Sequence, residues 1–179
     1  MNTQAAIDWP LDIHRLFVAA GVKFIAYVPD AGHKRLIELC HADRTMRAVP
    51  VTTEEDGIGL AMGAWLGGAR AALLMQSSGV GNTINVLATV KECRFPLVML
   101  VTMRGETGEF NPWQVPMGQA TPAVLEEMGV VVQRASAPED VAPSVDAALR
   151  LAYNSYAAVA VLISQRVIGI KSFQEQAER

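Results

Sequence analysis

Two short segments carry most of the chemistry this sequence can offer: the acids Glu54-Glu55-Asp56, and the Gly-rich turn Gln76-Ser77-Ser78-Gly79-Val80-Gly81-Asn82. Each falls where a strand hands over to a helix. Ligands of open α/β sheets gather at the carboxyl ends of the strands. A carboxylate buried there beside like charges holds its proton nearer neutrality, and a Gly-rich turn lets a ligand approach the backbone closely. The pair suggests a cofactor site that needs one acid and a close backbone approach. Plainer readings stand beside it. Acids in the first turn of a helix favour its dipole, and Ser78 or Asn82 can simply cap a tight strand-to-helix turn. Gly79-Val80-Gly81 lacks the third Gly of the dinucleotide fingerprint, and the G-x-x-x-x-G-K-[ST] phosphate loop is absent.

Two further residues end apolar runs. His33 follows Val28-Pro29-Asp30-Ala31-Gly32 and is a candidate ligand contact or a turn cap. Arg104 closes the run Leu97 to Val101 and either pairs with an anionic substrate or faces water. His14, His33 and His41 show no metal-ligand spacing, and no G-x-S-x-G elbow occurs. Cys40 and Cys93 have neither metal nor redox spacing. No metal site is expected in this chain.

The apolar pattern supplies the elements that must position these residues. Helices are expected over Ile7–Ala20, around Leu36–Cys40, over Ile58–Leu66, Thr83–Glu92, Ala123–Met128 and Pro138–Tyr153. Strands are expected at Phe24–Val28, Ala48–Val51, Ala71–Met75, Leu97–Val101, Val130–Val132 and Ala157–Ile163. Their alternation predicts an α/β fold, a six-stranded, mostly parallel sheet with helices on both faces. Thr102 to Gln119 is the one long non-periodic stretch, and loops of that length are often functional. One domain over 1–165 is expected, with a solvated tail over 166–179.

Composition narrows the classes. Hydrophobic residues make 51% and charged residues 18%, against roughly a quarter charged in ordinary domains. Either the core is generous or part of the surface is covered by another subunit. A net charge of −3 gives no electrostatic reason to expect nucleic acid. The longest apolar run, Tyr156 to Ile163, is eight residues, well short of the about 20 of a membrane span. No basic segment followed by an apolar stretch marks the N-terminus as a secretory signal, and two unpaired thiols fit a reducing cytoplasm.

The stretch from Glu54 to Asn85 resembles the pyrimidine-binding (Pyr) domain of thiamine diphosphate enzymes, in which a Glu precedes a Gly/Ala-rich helix and an S-G-x-G turn follows the next strand. Within them it is most similar to the alpha subunits of sulfopyruvate decarboxylases, with phosphonopyruvate decarboxylases near. The likeness runs from about Val22 to Val132 and rests on Glu54 to Gly59, Leu73 to Asn82, and Arg104-Gly105 leading to Gln114-Val115-Pro116-Met117-Gly118.

The resemblance implies a carboxy-lyase subunit acting on a 2-oxo acid, sulfopyruvate to sulfoacetaldehyde first and phosphonopyruvate or another acid second. A non-catalytic Pyr-fold interaction subunit is the rival. The activating glutamate carries over to Glu54, nine residues before Gly63, with Glu55 the fallback. The turn Gly79, Val80, Gly81, Asn82, with Gln76 and Ser78, would hold the aminopyrimidine half of thiamine diphosphate. His33 and Arg104 would meet the anionic group of the substrate, and Asp30 stands where relatives would carry a small polar residue or Cys. No Gly-Asp-Gly occurs here. The diphosphate and its Mg2+ would therefore lie on a separate PP-domain beta subunit, in a cytoplasmic homo- and hetero-oligomer, and without that partner this chain would be inert.

Overall fold

In the computed structural model, which describes residues 7–169, the alternation of short apolar runs and amphipathic segments becomes six strands and seven helices. In chain order they are α1 (Trp9–Ala19), β1 (Val22–Tyr27), α2 (Lys34–Ala42), β2 (Arg47–Pro50), α3 (Glu54–Leu66), β3 (Arg70–Gln76), α4 (Leu87–Cys93), β4 (Leu97–Thr102), α5 (Val115–Glu127), β5 (Val131–Ala135), α6 (Pro138–Ser155), β6 (Ala158–Ile163) and the short α7 (Gln165–Ile168). Three 3-10 turns interrupt them, at Ala31–His33, Ser77–Thr83 and Pro112–Gln114.

The sheet runs β2-β1-β3-β4-β6-β5, and every pairing is parallel. All residues of the central strands β4 and β6 are buried, as strands covered on both faces must be. On one face α1, α2 and α6 bring Ile13, Phe17, Leu36, Val145 and Leu149 onto Ile25, Leu74, Leu100 and Val161. On the other, α3, α4 and α5 bring Ile58, Leu87, Val90 and Leu125 onto Leu73, Met99 and Leu162. Successive residues of one strand thus feed opposite cores. From β1 the chain crosses outward to β2 and then returns past β1 to β3, so the order reverses between β1 and β3. The crevice at their carboxyl ends is where such sheets bind ligands.

Two stretches differ from the expectation. The helix expected from Thr83 is regular only from Leu87, because residues 77–83 coil into a 3-10 turn that keeps Gly79 and Val80 buried. The loop expected from Thr102 to Gln119 ends at Asn111, and α5 starts at Val115. Pro116 sits in its first turn, where a missing N–H costs nothing, so a residue read as a loop marker begins a helix. At the other end, Val167 and Ile168 pack on the core, which puts the first residues of the expected tail inside the domain. The rest of that tail, 170–179, lies outside the described residues.

Candidate functional site

β2 ends at Pro50, Thr53 is extended, and α3 begins on Glu54. The helical turn then separates the three acids. Glu55 and Asp56 are exposed, while Glu54 turns inward and is only 6% exposed. Asn82 Nδ2 donates to Glu54 Oε2 at 2.8 Å, and Oε1 takes no hydrogen bond among the described residues. Gly79 lies against this carboxyl so closely that a Cβ built on it would overlap the Glu54 side chain. Three residues further into α3, Gly57 lets the helix settle on β3, since a Cβ there would meet Leu73. The two glycines therefore set the depth at which the acid sits.

The turn after β3 is tied down from below. Val80 is 0% exposed and belongs to the core, so it anchors the turn rather than presenting a side chain to a ligand. Thr83 Oγ1 donates to the Val80 carbonyl at 2.8 Å, and Thr121 Oγ1 of α5 lies 3.3 Å from the Ser77 carbonyl it donates to. Ser78, Gly81 and Asn82 remain exposed.

Beside the turn, a second carboxylate joins the ends of β1, β3 and β4. Asp30 accepts from Gln76 Nε2 at 3.0 Å and from the Thr102 hydroxyl, and Ser78 Oγ donates to Gln76 Oε1 at 2.7 Å. Burial works against the Asp30 carboxylate, but the nearby His33 ring and these hydrogen bonds outweigh it and hold its pKa below the usual value. His33 is 1% exposed. Its Nδ1 stands 3.6 Å from Asp30 Oδ2, too far for a hydrogen bond, and neither ring nitrogen has a partner. Sequence placed this histidine at a ligand-facing strand end. The structure puts it underneath Asp30, with no open face.

Burial, opposed only in part by Asp30, pushes the His33 pKa from 6.5 down to about 4. The unfolded chain therefore binds a proton there that the folded chain does not, between those two values. Stability should fall as pH drops from about 6.5 to about 4. A His33→Leu chain should lose that part of the slope, read as melting temperature against pH.

Arg104 is not a free cation. Its Nε and Nη2 donate to the two oxygens of Glu109, each at 2.7 Å, with the side chains 9% and 1% exposed. Its backbone N–H donates to Ser77 Oγ at 2.9 Å, which ties β4 to the Gly-rich turn. The next acid, Glu106, accepts from Ser164 Oγ and the Gln165 N–H, both at 2.8 Å, and pairs with Arg134. Glu109, Glu106, Ser164 and Gln165 were missed in the sequence. Their only signal was the polar loop itself. A cavity of about 480 Å3 opens beyond them, lined by Thr107, Arg134, Ser136 and Arg166 among others. No group of three or more His, Cys, Asp or Glu among the described residues is placed to hold a metal ion.

The edge thus brings together Glu54, Gly79 and Asn82, links Ser78, Gln76 and Asp30 in a second chain of hydrogen bonds, and leaves Arg104 engaged with Glu109. The sequence family described as "Thiamine pyrophosphate enzyme, N-terminal TPP binding domain" matches residues 12–130. The chain is 35% identical over 152 residues to a sulfopyruvate decarboxylase subunit alpha of Methanococcus maripaludis, covering 84% of this chain and 91% of the relative. It is 38% identical to the protein of the same name in Methanothermobacter thermautotrophicus, covering 80% and 88%. Among solved structures, a 2-oxoglutarate:ferredoxin oxidoreductase of Magnetococcus marinus superposes with a TM-score of 0.70 at 14% identity, over 87% of this chain and 28% of that one. That likeness speaks for the fold alone.

Proposed function

The chain belongs to the thiamine pyrophosphate enzymes, as an N-terminal TPP binding domain, and within them to the sulfopyruvate decarboxylase alpha subunits; from that premise we propose that it is the pyrimidine-binding half of a decarboxylase that converts 3-sulfopyruvate to sulfoacetaldehyde and CO2. The observation that carries this is Glu54. It is a buried carboxyl with one oxygen anchored by Asn82 and the other without a partner, backed by a glycine that leaves no room for a side chain.

Thiamine diphosphate, when bound, supplies the nucleophilic carbon for attack on the keto group of a 2-oxo acid. The residues here fit its aminopyrimidine half. Glu54 would hydrogen-bond the ring N1′ and exchange a proton with it, and an acid so placed is a general acid–base group. Gly79 and Gly81 would let the flat ring lie against the backbone. Gln76, Ser78 and Asn82 would hold the edge of the pocket through the hydrogen bonds that Gln76 makes to Asp30, Ser78 to Gln76 and Asn82 to Glu54. The diphosphate and Mg2+ are assigned to a beta subunit bearing the Gly-Asp-Gly segment that this sequence lacks, and the pair to the cytoplasm.

Purification from the native source, with mass spectrometry of what co-elutes in stoichiometric amount, tests the reading. A partner carrying Gly-Asp-Gly is expected, and the pair should release CO2 from 3-sulfopyruvate while this chain alone does not. Turnover of 3-phosphonopyruvate in preference would change the substrate and keep the site. A chain that elutes alone, or with a partner that adds no activity, overturns the proposal.

A further inference from the structure

We propose that the Glu109 carboxylate is an internal stand-in for the substrate's anionic group, and that a sulfonate or phosphonate takes its place in a cradle built around Arg104. The inference rests on the reading of the chain as a subunit acting on an anionic 2-oxo acid.

The cradle is more than an ion pair. Five donors converge on the two oxygens of one carboxylate: Arg104 Nε and Nη2 at 2.7 Å, Gln165 Nε2 and the Asn111 N–H at 3.0 Å, and the Gly105 N–H at 3.2 Å. Charge-assisted bonds to a forked guanidinium are the strong and directional kind, and they suit sulfonate and phosphonate oxygens as well as carboxylate. The hydrogen bonds from Arg104, against the cost of burial, hold the Glu109 pKa down to about 2, so the cradle contains an anion at any working pH. Arg104 is bound through its N–H to Ser77, the residue that opens the turn on which Glu54 packs.

The donors and the occupant differ in how they are held. Arg104 lies two residues past β4, after Met103, whose N–H bonds the Ile163 carbonyl at the end of β6, and Gln165 opens α7 just after β6, so both positions are tied to the sheet. Glu109 sits on the short loop between β4 and α5, one residue after Gly108, which has φ +86°. Glu106 pins the near end of that loop to Ser164 and Gln165, and the Glu109 N–H is bonded to the Glu106 carbonyl at 3.1 Å, so in this proposal it is the Glu109 side chain that leaves the cradle while the backbone donors stay. Exchanging one anion for another never leaves the buried guanidinium unpaired, which is the costly state. A substrate without the anionic group has nothing to exchange.

The test uses the complex of this chain with its partner. Glu109→Gln keeps the side chain's size and its acceptor oxygen and removes the charge. If the cradle is closed in most molecules, weakening the lock should lower the KM for 3-sulfopyruvate and the inhibition constant of methanesulfonate, the anionic head alone, together, by about ten-fold. Arg104→Gln should raise both. Constants that stay put or rise in Glu109→Gln, with a wild-type melting temperature, overturn the inference. Should that variant not fold, Glu109→Asp decides in its place: its shorter reach should move both constants down, and unmoved constants overturn the idea. A wild-type complex inert toward 3-sulfopyruvate fails the functional reading and this inference with it. An active wild type with unmoved constants in the variants fails the inference alone.

Discussion

Replacing Glu54 with Gln in the assembled complex is expected to cut kcat by about 10²–10⁴-fold, the usual range for a lost general acid–base group, with assembly and melting temperature kept. The amide has the volume of the acid, so the packing against Gly79 survives. Its oxygen can still accept from Asn82, which donates to Oε2 at 2.8 Å. Its N–H can still donate to a ring nitrogen. What it cannot do is give up a proton and take it back. Affinity for thiamine diphosphate, measured by titration, should therefore change little while turnover collapses. Glu54→Ala should lose both, because it also leaves Asn82 without its acceptor and a void beside Gly79. Full turnover in Glu54→Gln would sink the assignment. It would not rescue Glu55, which faces solvent from the next position of the helix.

The choice of Glu54 from sequence rests on the resemblance, which counts the activating acid nine residues back from Gly63; composition and spacing alone leave the three acids open. What the fold adds is that Glu54 shares the buried face of α3 with Gly57, Ile58 and Ala61. The sheet was legible from the residues themselves: runs such as Leu97 to Val101 and Ala158 to Ile163 are too apolar to be covered on one face only. The second, dependent layer of the site was not legible. Arg104 looks like a free cation in sequence because its partner, Glu109, lies in a segment with no period. Glu106's partners, Ser164 and Gln165, follow a different strand altogether, and only the order β4-β6 brings them near. His33 misled in the opposite direction. Its spacing after Pro29-Asp30 fits an exposed turn equally well, and nothing local says that the 3-10 turn buries the ring under Asp30. Gly79 was visible as a glycine. Its reason, the acid lying on it, needed two segments that meet only in the fold.

Gly118 gives the sharpest stability prediction, because it is the contact on which the loop, the turn and α5 depend together. It lies in the second turn of α5, and a Cβ built on it would overlap the carbonyl oxygen of Arg104. That obstacle is backbone, held in place by the N–H of the same residue bonded to Ser77. It cannot swing aside as a flexible side chain would. Gly118→Ala gains the ordinary helix preference of Ala, about 0.5–1 kcal/mol, and against it sets an overpacking cost of about 1–3 kcal/mol. The expected sum is destabilising, a fall in melting temperature of several degrees at about 2–4 °C per kcal/mol for a domain this size. Gly59→Ala is the control. It lies in α3 with nothing within 4 Å of the added carbon, so the helix preference acts unopposed and the melting temperature should rise. The two variants differ only in what the new methyl meets. If Gly118→Ala melts as high as Gly59→Ala, α5 is free to back away from Arg104, and the strand end that carries the cradle and the turn is looser than the hydrogen bonds through Ser77 and Thr121 imply. If it melts lower and the complex also binds thiamine diphosphate more weakly, the close approach of α5 to β4 is what holds the Gly-rich turn against Glu54.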